Sequence, residues 1–178
     1  MEVYHNQNNC QFGINVNVTF NFEDGRSETI TTLSNDNYII ETIEPTRLYG
    51  KTKITQWYNK DNQLHRDTID GPAIITKVYC GKELTELTLQ YYINGIEQRK
   101  DDGPTHIHKK QFTKNGEYKE YWMWKKNGFI HRDNGPAIIK HFFIPEQDGL
   151  FPYKSIWYQH GVQGIVEIHD LLLTKRAT

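Results

Sequence analysis

The stretch from Trp124 to Ala137 reads WKKNGFIHRDNGPA, and related stretches precede it in the chain. Its Gly-Pro pair is the third of three that stand 32 residues apart: Gly71-Pro72, Gly103-Pro104 and Gly135-Pro136. An aromatic residue recurs at intervals of 33 or 34 residues, and the four positions are Trp57, Tyr91, Trp124 and Trp157. A fixed period of this length indicates a repeat architecture in which every repeat is one supersecondary unit.

The residue types within the period predict β-structure. Asn94-Gly95 and Asn127-Gly128 accept the positive φ angles of a type I′ hairpin turn. In each Gly-Pro pair, glycine allows a sharp change of direction, and proline fixes φ at the start of the next strand. The segments that follow, Ala73 to Tyr79 and Ala137 to Phe143, are rich in β-branched and aromatic residues. Each repeat is therefore predicted as strand, turn, short strand, loop and strand.

The N-terminal residues 1–50 are predicted to form a β cap on the repeats. Apolar and polar residues alternate from Ile14 to Phe22, which is the pattern of a half-buried strand. Asp24-Gly25 provides a turn into a second strand, Arg26 to Leu33, and Tyr38 to Ile43 is expected to pair next. An array of repeats needs its ends covered, which gives this segment a structural role.

The repeats occupy residues 51–165, and a C-terminal capping segment follows at residues 166–178. The fourth copy is degenerate, because Gly161 is followed by Val-Gln-Gly and not by a Gly-Pro pair. The spacing of Ile165, Ile168 and Leu172 favours a short closing helix, with a last strand as the alternative.

Composition and charge exclude several classes of function. The chain has 178 residues, 21 Lys+Arg against 22 Asp+Glu, and a net charge of −1, so no nucleic-acid partner is expected. Aromatic residues make up 13% of the chain and supply large buriable side chains, which argues against disorder. The two cysteines, Cys10 and Cys80, are too few for a disulfide framework. With no long apolar segment, the sequence predicts a cytoplasmic, intracellular protein.

The pattern Trp-Tyr, Asn-Gly, His-Arg and Asp-Gly-Pro-Ala resembles MORN-type repeats over residues 52–165. It is most similar to the divergent variant in MORN-like antitoxin proteins and in repeat proteins of bacteriophages and large amoeba-infecting DNA viruses. The resemblance implies an all-β fold, an antiparallel meander of hairpins in an elongated sheet. It also implies a role in protein or membrane interaction and, for a viral chain, a location in the host cytoplasm. The second repeat departs from the pattern, since Gln98 replaces histidine.

The recurring His-Arg pairs are the first candidate binding residues: His65, Arg66, Arg99, His131 and Arg132. A row of imidazole and guanidinium groups could bind phosphate or carboxylate. The alternative is structural: Asp67, Asp101 and Asp133 neutralise the arginines, which also donate to loop carbonyls around Gly-Pro. The structural interpretation is favoured, because surface ion pairs and loop contacts are far commoner than binding sites.

The aromatic residues form two adjacent rows. The row of Trp57, Tyr91, Trp124 and Trp157 is predicted to pack within the sheet. Neighbouring residues of a strand face opposite ways, so a buried tryptophan row places the second row in solvent as a protein-binding stripe. That second row consists of Tyr58, Tyr92 and Tyr158.

No metal, cofactor or catalytic motif is identified. His106 and His108 share one face of a strand, but two ligands do not make a zinc site. No nucleophile with its base and no phosphate loop stands in a recognised local frame. The sequence therefore predicts a non-enzymatic scaffold that binds another protein or pairs as a homodimer through a sheet face or edge. The alternatives are a membrane-surface module for anionic lipids and a small-ligand-binding or hydrolytic protein that uses the His-Arg pairs.

Overall fold

A computed structural model describes residues 2–8, 15–33, 35–46, 50–111, 116–147 and 149–169. These residues contain sixteen strands and two short 3-10 helices. The strands are β1 (Glu2–Asn8), β2 (Asn15–Asn21), β3 (Ser27–Thr32), β4 (Tyr38–Thr46), β5 (Gly50–Tyr58), β6 (Ile74–Cys80), β7 (Glu83–Gln90), β8 (Tyr92–Ile93), β9 (Ile96–Glu97), β10 (His106–Gln111), β11 (Tyr118–Met123), β12 (Lys125–Lys126), β13 (Phe129–Ile130), β14 (Ile138–Ile144), β15 (Gly149–Gln159) and β16 (Val162–Ile168). The 3-10 helices span Thr68–Asp70 and Pro145–Gln147.

Twelve of these strands form one antiparallel sheet whose order follows the chain: β1-β2-β3-β4-β5-β6-β7-β10-β11-β14-β15-β16. Two small hairpins, β8–β9 and β12–β13, leave the sheet between the long strands of successive repeats. The predicted all-β antiparallel meander of hairpins is confirmed. Strand β2 lies where the alternation predicts it, β3 and β4 follow where the Asp24-Gly25 turn and the expected pairing place them, and all three continue the same sheet.

The repeated turns have the backbone conformation that their residues predict. The φ angles are 49° and 77° at Asn94-Gly95 and 53° and 81° at Asn127-Gly128. Positive φ at both central residues is the signature of a type I′ turn, whose twist matches that of the flanking strands. In the degenerate fourth copy, His160-Gly161 adopts the same conformation, with φ angles of 48° and 82°.

The most buried side chains lie where the small hairpins cover one face of the sheet. Met123, Ile138 and Ile156 are directly opposed on β11, β14 and β15, and form a buried cluster. Ile130 from the hairpin β12–β13 packs against this cluster, together with Tyr121 and Tyr158. The hairpins thus supply a second layer that the single sheet otherwise lacks.

The C-terminal part differs from the predicted helix. Val162–Ile168 is strand β16, which pairs with β15, so the helical spacing of Ile165 and Ile168 was misleading. Pairing with β15 satisfies the backbone groups on one side of this segment, whereas an isolated helix this short is marginal in water. Leu172 and the rest of the capping segment beyond His169 lie outside the described residues. Within the described part of the chain, no helix is long and apolar enough to cross a membrane.

Candidate interaction surface

In each of the first three repeats, an arginine stacks on the aromatic residue that recurs at the repeat period. The guanidinium carbon lies 4.1 Å from the ring centre in the pair Arg66–Trp57, and 4.0 Å in the pairs Arg99–Tyr91 and Arg132–Trp124. We call each aromatic residue, with its arginine and the glycine of its Gly-Pro pair, a rung. The rungs, numbered 1 to 3 in chain order, are Trp57/Arg66/Gly71, Tyr91/Arg99/Gly103 and Trp124/Arg132/Gly135.

The glycine of each rung leaves space for the guanidinium. A Cβ atom on Gly71 would lie 3.2 Å from Nη1 of Arg66, and one on Gly103 would lie 2.5 Å from Cζ of Arg99. The guanidinium is therefore held between an aromatic ring and a backbone that carries no side chain. The Gly-Pro pair thus has two roles: it forms the turn, and its glycine leaves room for the arginine.

The same arginines hold the loop that carries the Gly-Pro pair. Nη1 of Arg66 donates to the carbonyl of Pro72 at 3.2 Å, and Nη1 of Arg99 donates to that of Pro104 at 3.1 Å. Burial lowers the pKa of Arg66 from its usual range, which reflects a guanidinium taken partly out of water. The predicted donation of arginine to carbonyls around Gly-Pro is found at both of these loops. Pro136 follows Gly135 at the matching place in rung 3.

Backbone hydrogen bonds fix every rung to the sheet in the same way. The amides of Trp57, Tyr91 and Trp124 donate to the carbonyls of Ala73, Thr105 and Ala137 at 2.9, 2.9 and 2.8 Å. Ala73 and Ala137 are fully buried, and Thr105 nearly so. A small residue is required here because the loop passes close to the aromatic strand.

The carboxylates pair differently from the sequence-based expectation. Asp101 does bind Arg99, at 2.6 Å. Asp67 instead pairs with Lys100 at 2.9 Å, and Asp133 with Lys126 at 2.8 Å, so the prediction that all three neutralise their own arginine is wrong. Lys100 of the next loop reaches Asp67, and Lys126 of the adjoining hairpin reaches Asp133. Arg66 and Arg132 lie on their aromatic rings instead.

Asp133 is held by two donors. Its hydrogen bonds from Lys126 and from Nε2 of His131 lower the pKa of the carboxyl to about 2. Nδ1 of His131 is then the acceptor on the ring, which agrees with its contact to the next repeat described below.

The two histidines connect one repeat to the turn of the next. Nδ1 of His65 accepts from the amide of Asn94 at 3.2 Å, and Nδ1 of His131 accepts from the amide of His160 at 3.2 Å. The amides of Gly95 and Gly161, which follow in those turns, donate to Leu64 and Ile130. These imidazoles therefore act within the fold as links between stacked hairpins.

Neither aromatic row is an exposed stripe. Tyr58, Tyr92 and Tyr158 are half-buried, and burial raises the pKa of Tyr58 and Tyr92. Tyr58 stacks on Tyr38 with ring centres 5.0 Å apart. In the other row Trp124 is buried, while Trp57, Tyr91 and Trp157 are half-buried. The expectation of a solvent-exposed tyrosine row does not hold, because all three tyrosines are partly buried.

His106 and His108 have separate surroundings despite sharing a face. His108 contacts Thr88 at 2.9 Å, whereas Nδ1 of His106 lies 3.8 Å from Oε1 of Glu97. Burial lowers the pKa of His106, which favours its neutral form. Among the residues described, no group of three or more metal-binding side chains comes together.

A buried polar cluster at Glu97 was missed by sequence reasoning. Glu97 is 8% exposed and pairs with Lys125 at 2.6 Å. Residues 33 positions before and after Glu97 are Leu64 and Ile130, both apolar. A comparison of the repeats at this spacing would have revealed a charge at an apolar position.

Clefts lie between the loops of successive rungs. A cavity of about 270 Å³ separates rungs 2 and 3 and is lined by Arg99, Asp101, Asp102, Trp124 and Arg132. A larger cavity, of about 630 Å³, lies beyond rung 3, against Trp157. Another, of about 510 Å³, lies before rung 1, against Trp57.

Among the described residues, the edge strand β16 carries the largest run of exposed apolar side chains. Val162, Ile165 and Ile168 are 71%, 66% and 77% exposed, and Val166 is also exposed. Phe129 is 60% exposed and lies beside the turn before this strand, since a Cβ atom on Gly161 would lie 3.5 Å from its Cδ1. The repeat motifs do not predict this surface, because β16 follows the last of them and carries none of the recurring residues.

The chain matches no known family model, no curated protein and no solved structure. Its resemblance to MORN-like repeats therefore stays a prediction.

Proposed function

We propose that the chain is a non-enzymatic, MORN-like repeat scaffold that binds another protein through the edge strand β16. The observation that carries this proposal is the exposure of every residue from Val162 to Ile168 on the outermost described strand. Four of these seven residues have apolar side chains: Val162, Ile165, Val166 and Ile168.

An edge of this composition favours strand addition. Backbone N–H and C=O groups on the outer side of an edge strand have no partner in their own sheet, and they bind an extended segment of another chain. Natural edges are usually protected by lysine or proline, and Val162–Ile168 contains neither. Of the other features that protect edge strands, β16 has a β-bulge opposite Trp157 and a single charge, Glu167.

The surroundings of the arginines weigh against the alternatives. A phosphate-binding, lipid-binding or hydrolytic role needs cationic groups that face solvent and are free to bind. Arg66, Arg99 and Arg132 are instead stacked on rings, and the first two donate to their own loops. Near-neutral net charge also gives little attraction to an anionic membrane.

The test compares capture of partners by edge variants and by a matched control. Val162→Lys with Ile168→Lys places two charges on β16 and is expected to abolish capture of a partner identified with the parent chain. The control, Ile69→Lys, places a charge on a side chain that is 91% exposed but far from this edge. Capture is measured by affinity purification with mass spectrometry, and self-association by light scattering after size exclusion.

The outcomes separate clearly. A partner, or a second copy of the chain, that is bound by the parent and the Ile69 variant but lost by the edge variant supports the proposal. A partner that the edge variant retains, or a folded parent that stays monomeric and captures nothing, contradicts it.

A further inference from the structure

The fourth aromatic position, Trp157, lacks the arginine that the other three have. Arginines stand at positions 66, 99 and 132, and the residue 33 positions after the last of these is Ile165. In the described part of the chain, no arginine or lysine lies over the Trp157 ring. The chain also turns at His160-Gly161 directly into β16, so no Gly-Pro loop returns across this ring.

A cavity occupies the space beside this ring. It measures about 630 Å³, against about 270 Å³ for the cavity between rungs 2 and 3 and about 510 Å³ for the one beside Trp57. Trp157 and Gly164 line one side, and Arg132, Asp133 and Gly135 of the preceding rung line another.

The occupied rungs indicate which chemistry fits. Three times in this chain an indole or phenol ring at this position takes a guanidinium at 4.0 to 4.1 Å. The planar guanidinium stacks on the ring and still donates in its own plane, whereas an ammonium group has no plane to stack. Two arginines can lie close together in such a cavity, since Arg99 and Arg132 line the one between rungs 2 and 3 together with Asp101 and Asp102. An arginine on Trp157 could therefore lie near Arg132.

We propose that Trp157 is an open rung that receives an arginine side chain from the partner protein. This inference rests on the proposed function and adds to it the chemistry that the partner must present near β16. The partner's guanidinium stacks on Trp157, as Arg132 does on Trp124, and the Asp133 carboxylate, which already accepts from Lys126 and His131, lies at the cavity wall. Edge pairing and arginine insertion are separate contributions, so each is tested by itself.

The experiment follows the indole N–H signals of the four tryptophans by nitrogen-15 NMR during titration with N-acetyl-L-arginine methylamide. The Trp157 signal is assigned from a Trp157→Phe variant. We expect a saturable shift of the Trp157 signal, with about tenfold weaker binding of the uncharged citrulline analogue. Trp57 and Trp124 are internal controls that should not respond, since Arg66 and Arg132 already occupy their rings. Equal binding of the citrulline analogue, or no shift at Trp157, overturns the inference.

Opening an occupied rung provides the positive control. Arg66→Ala empties the ring of Trp57, and Arg132→Ala empties that of Trp124 if the first variant does not fold. The exposed indole of either variant should then respond to the arginine probe. A response in such a variant without one at Trp157 of the parent shows that the method works and that the inference is wrong.

Deletion of residues 170–178 examines the other source of a guanidinium, Arg176 of the same chain. A Trp157 response that appears only after this deletion means that the chain's own arginine occupies the rung, which overturns the partner assignment. A response of equal size in parent and deletion supports it. The proposed function fails separately, through unchanged capture by the β16 edge variant.

Discussion

Oε2 of Glu97 lies 2.6 Å from Nζ of Lys125, and the two residues form a largely buried ion pair between the second and third repeats. Nδ1 of His106 lies 3.8 Å from the other carboxylate oxygen, which has no hydrogen-bond partner. All three residues occupy positions that are apolar or aromatic in other repeats. The counterparts are Leu64 and Ile130 for Glu97, Ile74 and Ile138 for His106, and Tyr58, Tyr92 and Tyr158 for Lys125. One polar cluster thus replaces one hydrophobic cluster.

Removing only one partner of this pair should destabilise the protein strongly. Lys125→Met leaves the Glu97 carboxylate buried without a counter-charge, with an expected loss of about 3 kcal/mol in the free energy of unfolding. The measurement is urea denaturation at neutral pH. Lys110→Met is the matched control, because Lys110 pairs with Glu86 at 2.6 Å but is 58% exposed, and its loss should cost about 0.5 kcal/mol.

Replacing the whole cluster by the residues of the other repeats should restore stability. The triple variant Glu97→Ile, His106→Ile and Lys125→Tyr is expected to equal or exceed the parent, by up to about 2 kcal/mol. Packed apolar side chains avoid the desolvation of two charges. A triple variant that is less stable than Lys125→Met would contradict this account of the cluster.

Gly103 should be intolerant of alanine only while Arg99 is present. A Cβ atom there would lie 2.5 Å from Cζ of the guanidinium, although φ at this glycine is not in the left-handed region. Gly103→Ala is therefore expected to cost about 2 kcal/mol in the parent and much less in an Arg99→Ala background. A double-mutant cycle by chemical denaturation measures the coupling. Additive losses would show that the backbone, and not the arginine, requires glycine.

The rung arginines should contribute mainly to stability. Arg132→Ala removes the stacking on Trp124 at 4.0 Å, and the expected loss is about 1 to 2 kcal/mol, seen as a lower melting temperature. Arg132→Lys should recover only part of it, since an ammonium group does not stack as a plane. Unchanged stability combined with lost partner binding would identify a ligand-binding arginine instead.

His141 should make the protein sensitive to mild acid. Its ring lies 4.5 Å from that of Trp122, its Nδ1 has no hydrogen-bond partner, and burial lowers its pKa below the usual 6.5. The unfolded chain therefore binds a proton more readily than the folded one, and stability falls as pH drops below about 6.5. His106 shifts in the same direction.

The test compares urea denaturation at pH 7.5 and pH 5.5 in the parent and in His141→Gln, which has no titrating ring. The variant should lose less stability between the two pH values. A parent and a variant with the same pH dependence would show that His141 is protonated as easily in the folded chain as in the unfolded one.

Much of the fold followed from local chemistry, and most of the site did not. Asn127-Gly128 specifies its turn without help from distant residues, and the run from Ile138 to Phe143 specifies its strand. Glu97 is different, because its partners Lys125 and His106 come from other strands and only the register brings them together. The choice of Asp133 between Arg132 and Lys126 depends in the same way on where the ring of Trp124 holds the arginine.

Because the order of strands in the sheet follows the order of the chain, the molecule can change in length by whole repeats. The strands that pack most extensively are adjacent in the sheet, and each rung is linked chiefly to the hairpins beside it. Stability in such an array is close to a sum over units and their interfaces, so opening begins at an end and spreads inward. Duplication or loss of one 33-residue unit would leave the remaining pairings intact. The number of repeats can therefore change by one in a single genetic event. Such a change lengthens or shortens the scaffold and leaves both of its ends the same.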